Sequence, residues 1–188
     1  MKVFLLLLLL APAMVARAQG DFHAYSATED LIEGGQVEKM NIVLSNLLFT
    51  IRPPKNWGRV VDAAGRKIVF TSASGKSAVT VQFTAESPGT LPGDDVLRAR
   101  VLQAHPAAEI MQKSVCPTSY KPGVLYDLIQ MPAEGVILKV RHVFLPQPAG
   151  EVEVVLSASD DEFEKDKYIV MAMLRAFKVE TVKPQPGM

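Results

Sequence analysis

Apolar and polar residues alternate with a period of two through most of this chain, which in an extended strand puts every second side chain on one face. Leu47, Phe49 and Ile51 alternate with Leu48, Thr50 and Arg52, and the first three make a core face. Pro53 and Pro54 follow. Neither can donate to a ladder, so the strand stops and a stiff turn aims Trp57, the only tryptophan, at a core edge. The run 39–44 is separated from 47–52 by Ser45-Asn46, the spacing of a tight hairpin. Runs 59–62, 67–71 and 77–84 come next, joined by turn-like Ala64-Gly65 and Ala73-Ser74-Gly75-Lys76. Ile68, Phe70, Val79, Val81 and Phe83 take the inward parity. The pattern is an antiparallel meander with one dry face and one wet face.

Residues 86–95 hold two prolines and two glycines and read as a loop. Asp94 is expected to cap a helix whose Val96, Leu97, Val101 and Leu102 form an apolar stripe, ending by Pro106. Residues 109–115 read as a strand, and 123–131, 136–145 and 151–158 are the clearest strands of all. Their parity groups Leu138, Val140 and Phe144 with Val152, Val154 and Leu156 as inward, and Lys139, Arg141, Glu151 and Glu153 as outward. A last helix over 160–177 aligns Phe163, Val170, Met171, Leu174 and Phe177. Asp160, Asp161, Glu162 and Glu164 crowd its start, Arg175 and Lys178 its end, which complements the helix dipole. Ahead of the sheet, Ser26-Ala27-Thr28-Glu29 has the capping-box form and Gly34-Gly35 that of a helix stop. A two-turn helix over 27–33 is therefore expected within a polar segment 19–38. The tail after Val182 reads as frayed.

Charge and address narrow the function classes. Lys plus Arg and Asp plus Glu each total 20, so no net field attracts nucleic acid. Residues 1–18 read as a cleaved signal peptide: Met1-Lys2 is a short basic start, 3–10 an apolar run, and Ala16-Arg17-Ala18 a small-x-small cleavage site. The apolar run falls short of the roughly 20 residues a membrane span needs, so no stable membrane insertion is expected after cleavage. Removing Lys2 and Arg17 leaves 18 basic against 20 acidic side chains. The expected location is a bacterial periplasm or the outside of the cell. Cys116 is the single cysteine, so no intramolecular disulfide forms and burial must hold the domain together.

Candidate chemistry is thin. Cys116 with His105 or His142 could be a nucleophile and base, but Cys116 precedes Pro117 with no helix start beside it to depress its pKa. His142 shares the parity of Leu138, Val140 and Phe144 and reads as a hydrogen-bonded core histidine. His23, His105 and His142 lack metal-ligand spacing, and no metal or cofactor is expected. The acidic run from Asp160 to Asp166 lacks the glycine and spacing of a calcium loop. No GxGxxG, GxxxxGK[ST] or GxSxG occurs, and Ser74-Gly75-Lys76-Ser77 sits between two strands as a turn. The loops 87–95 and 116–123 present prolines, glycines and an aromatic, which makes Trp57, Leu91 and Tyr120 the candidate binding surface.

Phe49-x-Ile51-x-x-Pro54-x-x-Trp57, a meander, a mid-chain helix, three long strands and a closing helix ending Leu174-Arg175-Ala176-Phe177 together resemble the PsbP-like family over residues 40–180. That family includes the extrinsic oxygen-evolving subunit of photosystem II, bacterial DcrB-type envelope proteins and Ran-binding Mog proteins. The resemblance implies an α+β fold, an antiparallel β-sheet packed by two main helices in an α/β/α sandwich, and binding or assembly rather than a shared reaction. It supplies no catalytic residue. The expected protein is thus an exported, non-enzymatic single domain over 39–180 that binds a protein partner. A small-molecule module with a pocket between sheet and helix, and a hydrolase using Cys116, are the alternatives.

Overall fold

The computed structural model describes residues 22–84, 89–118, 121–148 and 150–182. The expected leader and its cleavage site, Tyr120, part of the loop over 86–95 and the tail beyond Val182 lie outside the described residues. The elements are β1 (Phe22–Asp30), β2 (Gln36–Leu44), β3 (Leu47–Ile51), β4 (Gly58–Asp62), β5 (Lys67–Thr71), β6 (Ser77–Thr84), α1 (Asp94–Ala104), β7 (Glu109–Cys116), β8 (Gly123–Ala133), β9 (Val136–Gln147), β10 (Gly150–Ser159), α2 (Asp160–Arg175) and β11 (Lys178–Thr181). The fold is α+β, with two helices packed against antiparallel sheet. The strands divide between two sheets, a four-stranded one in the order β1-β2-β3-β11 and a seven-stranded one in the order β4-β5-β6-β10-β9-β8-β7.

The expected helix over 27–33 is absent. Residues 22–30 instead pair along their whole length with β2, from Phe22 opposite Leu44 to Asp30 opposite Gln36. Ser26 does not cap; its hydroxyl donates to Glu38 across the hairpin at 3.1 Å and accepts from Arg59 at 2.8 Å. Gly34 and Gly35, with φ of 86° and 98°, supply the turn. A two-turn helix is unstable alone, whereas a nine-residue ladder satisfies the same backbone groups and buries Phe22.

Two cores result. The main one lies between the sheets and beneath α2, where the Phe49 ring is 5.0 Å from Phe83 and 6.0 Å from Phe177. Phe163, Val170, Met173 and Leu174 of α2 fill the space under that helix. The smaller core lies on the opposite face of the seven-stranded sheet, where Leu97 and Val101 of α1 cover Tyr126, Leu128, Val140 and Phe144.

The meander keeps its dry face, with Ile68, Phe70, Val79, Val81 and Phe83 buried, but the sheet is buried on both faces around β8, β9 and β10, which corrects the parity expected there. Val152, Val154 and Leu156 pair with Leu145, Val143 and Arg141, and directly opposite residues share a face. They point into the main core, while Val140, His142 and Phe144 point toward α1. Glu153, opposite Phe144, joins the α1 face, and Lys139 and Arg141 lie on the α2 side, so the four charges form no single outward row. The period of two holds along the paired length of β9 and β10, where no register shift occurs. Its phase between strands is hidden because residues 140–147 are all buried, leaving no polar side to mark it. Asp94 is also not the cap: Gly93 holds that position, and the Asp94 carboxylate accepts from the Tyr126 hydroxyl and pairs with Lys113 at 2.7 Å.

Candidate functional site

A hydrolase using Cys116 was an alternative, against the reading of a free buried or loop-edge thiol. Cys116 is fully buried in the main core, and burial pushes its thiol pKa up. It pairs with Gly123 on the core face, whereas His142 lies on the α1 face. Thiol and imidazole are therefore separated by the sheet itself.

The histidines meet each other instead. His142, 2% exposed, holds Nδ1 2.7 Å from Glu153 Oε1, and its Nε2 lies 2.8 Å from His105 Nε2. A carboxylate only accepts, so His142 Nδ1–H donates to Glu153; in the neutral ring Nε2 then accepts from His105 Nε2–H. His105 Nδ1 sits 3.3 Å from Gln130 Oε1 at the outer end of the chain. Burial, then the neighbouring His142, holds the His105 pKa below its ordinary value, while Gln130 and Glu153 oppose that shift. The core role expected for His142 is what the structure shows; its link to His105 was invisible because 37 residues separate them.

Acidic residues at the start of α2 are consumed by neighbours: Asp160 pairs with Lys139 and Asp161 with Lys76, each at 2.7 Å. Among the described residues no group of three or more His, Cys, Asp or Glu is placed to hold a metal, and no helix is long and apolar enough to cross a membrane.

The candidate surface residues separate. Trp57 is half-buried against the main core and lines a cavity of about 430 Å³ with Pro53, Pro54 and Arg59. Leu91 packs against the smaller core on the other side of the seven-stranded sheet.

The arrangement best suited to recognition is the outer face of the four-stranded sheet. Met40, Ile42, Phe49 and Ile51 point inward, so Lys39, Asn41, Leu48 and Thr50 point out. A row runs across all four strands, with Tyr25 opposite Asn41, Asn41 opposite Thr50, and Thr50 opposite Lys178. Thr50 Oγ1 donates to Asn41 Oδ1 at 3.1 Å and stiffens its middle. Arg52 follows Ile51, the partner of Met40, and so stands beside Lys39. Ala172, Arg175 and Ala176 at the end of α2 wall one side, enclosing an open groove of about 490 Å³. Arg52 lies 3.7 Å from Glu29, while no ion pair among the described residues involves Lys39, Arg175 or Lys178. Half-exposed Tyr25 stands next to the groove. These side chains can bind; the one hydroxyl lining the groove, Thr50, is already committed to Asn41. Reading 27–33 as helix concealed this face, since β1 supplies its edge.

Comparison of the architecture with solved structures agrees with this layering. The solution structure of cyanobacterial PsbP (CyanoP) from Synechocystis sp. PCC 6803 superposes with a TM-score of 0.56 at 16% identity, covering 91% of this chain and 99% of that one. The Saccharomyces cerevisiae Ran-binding protein Mog1p gives 0.51 at 8% identity, covering 83% and 96%. This is the PsbP and Mog1 fold. The PsbP-like likeness stops at the fold, because identities this low carry no residue-level correspondence. No family model matches the chain, and no curated protein matches it in sequence.

Proposed function

We propose that this chain is an exported, non-enzymatic domain that binds a protein partner through the outer face of its four-stranded sheet. The observation that carries the reading is the groove beside Tyr25, bordered on one side by the end of α2, where Lys39, Arg175 and Lys178 stand without charged partners among the described residues. Mog1p, a structure of the same fold, is a Ran-binding protein; the fold supports a protein-binding role and leaves the partner open. Export rests on the leader, with Ala16-Arg17-Ala18 as the cleavage site. Trp57 and Leu91 serve mainly as packing residues in this reading.

A photoreactive residue in place of Thr50 tests the docking face, with a second in place of exposed Val115 on β7 as control. Crosslinking of a discrete partner in envelope or secreted extract from Thr50, and not from Val115, is the expected result. The reverse pattern would move the interface to the seven-stranded sheet. Amino-terminal sequencing of the exported chain should begin at Gln19, and a start at Met1 would remove the leader.

A further inference from the structure

We infer that the groove on the four-stranded sheet takes an extended, acidic segment of a protein partner; this deepens the docking reading above and rests on it. Charge is the first argument. Several cations elsewhere are paired with neighbours, Lys67 with Asp62, Lys113 with Asp94, Lys139 with Asp160 and Arg141 with Asp127, whereas of the groove cations only Arg52 has a charged partner, Glu29 at 3.7 Å. In the groove, Lys39 and Arg52 stand side by side, and Lys178 and Arg175 complete a cluster of four cations against the two carboxylates of Glu29 and Glu180. Like charges side by side on a sheet repel unless an anion lies between them. This cluster persists in a chain whose acidic and basic residues are equal in number, so it is local rather than a result of net charge.

Shape is the second argument. Lys39 on β2 and Lys178 on β11 are two strand spacings apart and offset by two residues, about 12 Å between their Cα atoms at ordinary sheet dimensions. An extended chain covers that distance in about four residues. Carboxylates at that separation would meet both lysines, with the segment crossing β3 between Arg52 and Thr50. Glu29 and Glu180 also line the groove, and their charge disfavours a broad anionic membrane while leaving room for a single strand with spaced carboxylates.

The test uses the chain from residue 19 onward and a fluorescein-labelled octapeptide of alternating glutamate and threonine, read by anisotropy at low and high salt. Matched arms use a lysine-threonine octapeptide and vesicles containing anionic phospholipid. The acidic peptide should bind, weaken with salt, and weaken about tenfold in the K39E/K178E double variant. The lysine peptide should not bind. Equal binding of both peptides, indifference to K39E/K178E, or binding to vesicles but not to the peptide would each overturn the acidic segment. Circular dichroism of the double variant, unchanged from the parent, guards against misfolding. If the Thr50 crosslink forms and the peptide does not bind, the docking face stands and the acidic partner falls. If neither occurs, both fall.

Discussion

Two sheet faces in this molecule point away from the main core, and they treat their polar groups in opposite ways. On the seven-stranded sheet, α1 lies over the face, and the polar side chains it traps are joined into the chain Glu153–His142–His105, with the Gln130 amide beside its outer end. On the four-stranded sheet no described helix lies over the outer face, and Lys39, Arg175 and Lys178 have no charged partner among the described residues. A buried polar group without a partner costs stability, so the covered face had to close its network internally. An exposed cation in water carries no such penalty and remains available to an external anion. The comparison teaches that binding capacity lies where packing leaves polar groups unspent.

The largest test of the contrast removes the cover. Leu97→Ala, which empties a fully buried site under α1, should lower the unfolding free energy by about 2–5 kcal/mol in urea titrations. A negligible change would mean that α1 is not what closes that face.

A smaller effect of opposite sign is expected at Asp166, which breaks the rule. Its carboxylate is 1% exposed on the inner side of α2, has no hydrogen-bond partner, and lies 4.0 Å from the Lys165 ammonium. Asp166→Leu should raise stability by about 1–3 kcal/mol, read as a higher urea midpoint at unchanged slope. A loss would show that the acid is compensated after all.

The covered network should also respond to pH. Because the folded state holds His105 below its ordinary pKa, the unfolded chain binds the proton more readily. Stability is then full above the ordinary histidine value and declines as pH falls toward the folded value. The melting temperature of the parent should therefore drop more between about pH 7.5 and about pH 5 than that of His105→Gln. Identical slopes would show that His105 is not the responsible group.

The smallest effect is expected on the open face. K39E/K178E should change stability by no more than about 0.5 kcal/mol, since neither lysine has a charged partner to lose. A large loss would mean that the groove is structural and the contrast between the faces is false.

Local chemistry carried much of this protein. The Ser45-Asn46 hairpin, the meander over β4 to β6, the strand after α1 and the long helix α2 follow from period, turn residues and caps, because each is decided within a few residues of chain. So was the reading of His142 as a bonded core residue. Two readings failed for lack of long-range information. Ser26 and Glu29 fit a helix cap until β2 is there to pair with, and the face on which Val140 or Val154 lies depends on register with strands far away in sequence. The groove was beyond reach for the same reason: Lys39, Arg52, Arg175 and Lys178 meet only because β11 returns beside β3.

The order of apolar and polar residues determined which segments are strands or helices, since backbone preference and amphipathic period act over short spans. Tertiary structure alone decided that there are two sheets, which faces are covered and which cations remain unpaired. Those outcomes depend on contacts between residues far apart in the chain, such as His105 with His142 or Thr50 with Lys178, and no short-range preference encodes them.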